Sequence, residues 1–360
     1  MPAQAPRARP RSDTRLALIR QWLREDLRRP VERIVVASAD ASFRRYFRIF
    51  ERPAAGLART LIVMDAPPDK EDVRPYLKAS QLLEHCGVHV PHIHEVDAAR
   101  GLLLLEDLGS TQYLAALRSG ADPQRLYGDA LAALADIQVR GRGWCAELPR
   151  YDQQALEREL ALMPEWFCDR HLGLTLTAQE SRLLRDTFGW LVREALAQPT
   201  VLVHRDYHSR NLMLLPERNP GVIDFQDAVA GPIGYDLVSL LKDCYITWPR
   251  ERVERWVREY RRQLAGRGLD AGVDDREFLR WFDLAGVQRH CKVLGIFARL
   301  HYRDGKPGYL PDLPRTLDYV RDAAARYAEL RDFALFIERR IVPRLAQANA
   351  RVRRAAARRR

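Results

Sequence analysis

The sequence predicts an α+β fold in two lobes, a small β-rich N-terminal lobe over residues 13–108 and a larger, mostly helical C-terminal lobe over 109–346. Three observations predict it. Short runs with strand-like alternation cluster before Gly109. After it, apolar residues recur at helical spacing in one long segment after another. The chain has 360 residues, of which 47% are hydrophobic and 30% charged, enough for domain-sized cores.

Residues 1–12, rich in Pro and Arg, read as a disordered basic tail. A helix follows from 13 to about 28, with Leu16, Ile19, Leu23 and Leu27 on one face. Strands are expected at 33–37, 43–50 and 60–64, then a helix over 71–86 closed by Gly87, then strands at 93–96 and 102–106. Helices are expected over 123–139, 154–171 and 178–197. A β-rich island interrupts them at 201–203, 211–215 and 221–224. Helices resume at 235–242, 251–264, 275–300, 313–330 and 332–346, and residues 347–360 form a second basic tail.

The formal charge of +11, from 59 Lys and Arg against 48 Asp and Glu, is unevenly placed. Nine positive charges lie in 1–12 and 351–360, which contain no acid, so the body is nearly neutral. That weighs against nucleic acid as a partner, beyond weak non-specific contact through the Arg-rich tails. No apolar run approaches the roughly 18–20 residues of a spanning helix, and no secretory apolar segment follows Met1, so no membrane role and no export are expected. Cys86, Cys145, Cys168, Cys244 and Cys291 are odd in number and form no C-x-x-C, as expected of thiols in a reducing cytoplasm. His85, His89, His92 and His94 crowd around Cys86, but Pro91 divides them, and solvated or capped histidines are expected rather than zinc ligands. Neither G-x-S-x-G nor a Walker A motif is present.

The chemistry concentrates in residues 201–241. Three apolar residues lead into His204-Arg205-Asp206, with Asn211 five residues on, and Val222-Ile223 lead into Asp224-Phe225. Acidic groups at the ends of short buried strands suit a site better than a core. Phosphoryl transfer explains these residue types. A carboxylate must orient the attacking hydroxyl and take its proton, the role expected of Asp206. Magnesium needs oxygen ligands, which Asn211 and Asp224 supply. H-R-D-x4-N followed by an apolar-Asp-Phe element is a kinase-type catalytic pattern. Only eleven residues separate Asp224 from Asp236, too few for the activation loop of a protein kinase, so a small acceptor is expected. Asp236 opens a helix and is expected to brace the catalytic loop, with His204 as a further structural support.

These motifs make the sequence resemble the aminoglycoside phosphotransferase superfamily, which includes choline kinase-like proteins. Within it the chain looks most similar to the anomeric N-acetylmuramate/N-acetylglucosamine kinases of cell-wall recycling. The stretches that carry the likeness are ASFRRYF (41–47), LIVMDAPP (61–68), LLLLEDLG (102–109), HRDYHSRN (204–211) and VLGIFARLHYRDGK (293–306). The resemblance implies a protein-kinase-like bilobal fold, ATP with Mg2+, and a small sugar as acceptor. Another small alcohol, such as an aminoglycoside, homoserine or a choline-like molecule, is the alternative acceptor. It places Ser42, Phe43, Arg44 and Arg45 at the nucleotide phosphates, and the backbone around Glu106 and Leu108 at the adenine. The sequence departs from the family at Met64-Asp65, where the strand normally offers a phosphate-pairing Lys; Arg44, Arg45 or Arg48 is expected to supply that charge. On the acceptor side it points to Tyr207, Arg289 and His290. Arg289 is preferred for a sugar carboxylate because a guanidinium matches it in bidentate fashion.

Overall fold

The computed structural model describes residues 13–39, 43–52 and 59–357. The chain forms two compact units, Met1–Lys78 with Pro91–Gly109, and Ala79–Val90 with Ser110–Arg360.

In the first unit Asp13 caps α1 (Thr14–Gln21), accepting the Leu16 N–H at 3.1 Å. The predicted single helix to residue 28 breaks here. The chain widens into a π-wound turn at Trp22–Asp26, and Arg28 takes a positive φ of 51°. Five strands follow: β1 (Val31–Ala39), β2 (Arg45–Glu51), β3 (Thr60–Asp65), β4 (Ile93–Asp97) and β5 (Leu102–Glu106). Their order is β1-β2-β3-β5-β4, with every pairing antiparallel. Alternation puts Phe47, Ile49, Leu61, Val63, Leu102 and Leu104 on one face, where they bury Ile19, Trp22 and Leu23. The helix α2 (Arg74–His85) starts three residues later than expected, because the Asp72 side chain accepts the Arg74 N–H at 2.9 Å. Gly87 closes it with φ of 82°.

The second unit is mostly helical. Its elements are α3 (Tyr113–Arg118), α4 (Pro123–Gly141), α5 (Gln153–Leu160), α6 (Ala178–Leu196), β6 (Thr200–Val203), β7 (Leu212–Met213), β8 (Gly221–Val222), β9 (Val229–Pro232), α7 (Gly234–Leu241), α8 (Arg250–Gly266), α9 (Asp275–Tyr302), α10 (Leu313–Ala324), α11 (Arg331–Phe336) and α12 (Val342–Ala357). The predicted helix 154–171 is broken: α5 ends at Leu160, and Met163–His171 is π-wound with Pro164 in its first turn. Proline has no N–H to continue the α-ladder. The helix α9 is the centre of this unit. Its apolar face packs as expected, yet Asp283, Gln288, Arg289, His290 and Lys292 are buried too. Gly295 permits a close crossing, since a Cβ there would lie 2.4 Å from the Leu162 carbonyl carbon. The basic C-terminal segment is helical as far as it is described. The helix α12 continues to Ala357, Ala348 is buried, and Arg351 donates to the His171 carbonyl at 2.9 Å. Among the described residues no helix is long and apolar enough to cross a membrane.

Candidate active site

Two short ladders assemble the catalytic segment. β6 pairs with β9, Val203 opposite Val229, which fixes where the chain leaves the sheet at His204. β7 pairs with β8, Leu212 opposite Val222, and the Ile223 N–H donates to the Asn211 carbonyl at 3.0 Å. Asn211 and Asp224, thirteen residues apart, therefore emerge side by side. Asn211 Nδ2 reaches the Asp206 carbonyl at 2.9 Å and Asp224 Oδ2 at 3.3 Å. One amide side chain thus ties the candidate base loop to the candidate metal carboxylate. Arg205 and Asp224 adopt positive φ of 76° and 65°, a strained conformation for non-glycine residues and a frequent mark of functional sites.

Asp236 and His204 brace this loop. Asp236 Oδ2 accepts the His204 N–H at 2.6 Å and Oδ1 the Arg205 N–H at 2.9 Å. Burial raises the Asp236 carboxyl to about 7, even though both N–H groups favour the ion. The His204 ring is fully buried; the Asp206 N–H donates to its Nδ1 at 3.2 Å and its Nε2 donates to the Ile223 carbonyl at 3.1 Å. That pattern requires the neutral ring, and burial lowers its pKa to about 4. Asp243 holds the loop's far side, accepting from the Ser209 N–H at 3.0 Å, from the Ser209 hydroxyl, and from the Tyr245 N–H at 2.8 Å.

Burial pushes the Asp206 carboxyl up, but Lys292, His208, Arg289 and Arg205 outweigh it and hold it below its ordinary value. Asp206 is therefore a carboxylate at neutral pH. Sequence reasoning missed the group that places two of these cations. Glu159, from α5, pairs with Arg205 and lies 3.0 Å from Lys292 Nζ, while the Tyr151 hydroxyl donates to it. Lys292 Nζ also donates to the Tyr235 hydroxyl at 2.9 Å. No local motif marks Glu159; only the packing of α5 against α9 brings it there. An aromatic wall was missed as well. The Arg210 guanidinium lies over Tyr245 at 4.8 Å and Tyr309 at 5.9 Å, and His208 meets Tyr245 edge-on at 5.5 Å.

The structure places two of the acceptor-side candidates in the core. Tyr207 is fully buried and its hydroxyl donates to the Ala130 carbonyl at 2.8 Å, so it anchors the loop in the core and does not face a substrate. His290 is equally buried, with Nε2 donating to the Lys242 carbonyl at 2.8 Å and its ring on Tyr319. Among the described residues His290 Nδ1 has no partner; Arg289 is 4% exposed, its Nη1 meets the Cys244 sulfur at 3.8 Å, and its Nε has no acceptor.

On the nucleotide side, Ser42 lies outside the described residues. Phe43 is exposed, with its N–H donating to Glu71 at 3.4 Å, and Arg44 is half-buried. Arg45 is engaged within its own unit. It is committed to Asp13 at 2.5 Å and Asp65 at 2.7 Å, and Asp65 also holds Arg15, so this guanidinium closes a network beside α1. Arg48 is likewise engaged, by Asp107 at 2.6 Å and the Gly109 carbonyl at 2.8 Å. The Glu106 N–H is spent on the His92 carbonyl at 2.8 Å. Leu108 is buried beside it.

Asn211 and Asp224 form a donor set of amide and carboxylate oxygens that fits magnesium. Among the described residues no three His, Cys, Asp or Glu side chains gather as a metal cage. Magnesium needs none, since it keeps waters and takes phosphate oxygens beside one or two protein ligands.

Known proteins resemble this chain in sequence and in fold. The N-acetylmuramate/N-acetylglucosamine kinase of Pseudomonas putida is 43% identical over 338 residues, 91% of this chain and 97% of that protein. The protein of the same description from Pseudomonas aeruginosa is 47% identical over 304 residues, 84% of this chain and 86% of its own. Among solved structures, choline kinase LicA from Streptococcus pneumoniae superposes with a TM-score of 0.59 at 13% identity, covering 87% of this chain and 99% of its own. The ADP-bound aminoglycoside phosphotransferase APH(2'')-Ib gives 0.55 at 13% identity, covering 84% of this chain and 97% of its own. These two share the protein-kinase-like fold. Residues 33–282 match the phosphotransferase enzyme family, APH, and the chain belongs to that family.

Proposed function

We propose that the chain is an ATP-dependent kinase that phosphorylates the anomeric hydroxyl of N-acetylmuramate and N-acetylglucosamine. The observation that carries this reading is the assembly of Asp206, Asn211 and Asp224 on one loop and hairpin, in a chain 43% and 47% identical to two kinases named for these sugars. Asp206 orients the sugar hydroxyl and takes its proton as the oxygen bonds to the γ-phosphorus and ADP leaves. Asn211 and Asp224 hold Mg2+. When bound, the ion offsets phosphate charge during transfer. Asp236 and His204 keep the loop in register. Ser42, Phe43 and Arg44 serve the phosphates, and the Glu106 carbonyl with the backbone at Leu108 serves the adenine. The five cysteines are free thiols, which suits work in a reducing cytoplasm on sugars released during peptidoglycan recycling.

The test is incubation with Mg-ATP and a panel of both amino sugars, an aminoglycoside, homoserine and choline, with the product identified by phosphorus and proton NMR. A sugar 1-phosphate is expected. Phosphate on another position, or transfer only to a non-sugar alcohol, would overturn the reading.

A further inference from the structure

A guanidinium taken out of water is costly unless an anion meets it. Arg289 is such a group: 4% exposed on the central helix α9, with a thiol as its hydrogen-bond partner at 3.8 Å and an Nε without an acceptor. The thiol is no counter-ion, since burial raises the Cys244 pKa and keeps it neutral. Among the described residues no carboxylate pairs with Arg289. The neighbouring acids have other work: Asp243 holds Ser209 and Tyr245, and Asp236 holds the His204 and Arg205 N–H groups. The Cys244 sulfur that meets Arg289 directly follows Asp243, which accepts from Ser209 in the catalytic loop, so the unfilled fork lies against the segment that holds that loop.

The two sugars of the proposed reaction differ in one respect that matters here. N-acetylmuramate carries a lactyl ether with a free carboxylate; N-acetylglucosamine carries a hydroxyl in its place. We propose that Arg289 is the carboxylate anchor of the acceptor site, the residue that makes this chain prefer the carboxylated sugar over the neutral one. The inference rests on the proposed acceptors and deepens them. A planar guanidinium held by packing matches a carboxylate with two parallel N–H···O bonds, and its rigidity spares the entropy of ordering a side chain.

The experiment compares kcat/KM for N-acetylmuramate and N-acetylglucosamine in the intact chain and in Arg289→Met, which fills similar volume without charge. The ratio of the two values is expected to fall about 10- to 100-fold in the variant, and less in Arg289→Lys, which keeps charge but not the fork. The second measurement needs no variant: N-acetylmuramate methyl ester, given to the unaltered protein, is expected to show a KM about 10- to 100-fold above that of the acid. If Arg289→Met slows both sugars equally, or the ester performs as well as the acid, the anchor role is overturned, and the guanidinium serves the phosphoryl group common to both reactions. Should the variant not fold, the ester alone decides. Unaltered protein that phosphorylates neither sugar would overturn the proposed function itself, and the anchor with it.

Discussion

Asp206 shows how a carboxylate stays ionised in a largely desolvated place. Burial alone would protonate it, and the surrounding Lys292, Arg289 and Arg205 charges, with His208, reverse the balance. Asp206→Asn keeps the shape and removes the base. It is expected to lower kcat about 10²- to 10⁴-fold while ATP affinity, measured by titration calorimetry, changes little. Retained turnover would remove Asp206 from the chemistry. Asp236 acts one step back. Asp236→Asn replaces one of the two acceptors that hold the His204 and Arg205 N–H groups with an N–H donor. A cost of about 1–3 kcal/mol in urea unfolding is expected.

At the scale of elements, the site depends on how α5 and α9 meet. Glu159 on α5 neutralises Arg205 from the loop and Lys292 from α9 at once. Glu159→Gln leaves both cations without a full counter-charge in a buried setting, and a loss of about 3–5 kcal/mol is expected by chemical denaturation. The crossing of α9 over the Met163–His171 turn has no spare room at Gly295. Gly295→Ala therefore forces backbone to move and should cost about 1–3 kcal/mol or more, read as a lowered Tm. An unchanged Tm would mean the two segments can separate freely.

Across the whole molecule, buried histidines set the acid limit. Burial lowers His171 and His204 to about 4 and His290 to about 3. Below pH 6.5 the unfolded chain binds protons that the folded rings refuse, so stability falls with pH at about 1.4 kcal/mol per unit for each ring. Asp236 works in the opposite direction. Its carboxyl, raised to about 7, keeps a proton that the unfolded chain releases, so it favours the folded state as pH falls between 7 and 4. Three rings against one carboxyl leave a net loss of about 2–3 kcal/mol per unit around pH 5. Urea unfolding at pH 7 and pH 5 measures this; equal stability would contradict it.

The sequence by itself determined the two-lobed α+β architecture, because strand alternation and helical periodicity are local properties of the chain. It also determined Asp206, Asn211, Asp224 and Asp236 as the candidate machinery, because each sits at a fixed offset within a short motif at the end of an apolar run. Helix limits at Gln21, Leu160 and Ala357 departed from expectation where winding, a proline or packing overrode periodicity. What only the tertiary structure decided is which polar groups still have charge to offer. Tyr207 and His290 looked available and are spent on backbone carbonyls. Arg45 looked available and is spent on Asp13 and Asp65. Glu159 was unmarked and is central, while Arg289 is a buried cation that no carboxylate among the described residues meets. Hydrogen-bond partners far apart in the chain decide these fates, and no local pattern records them.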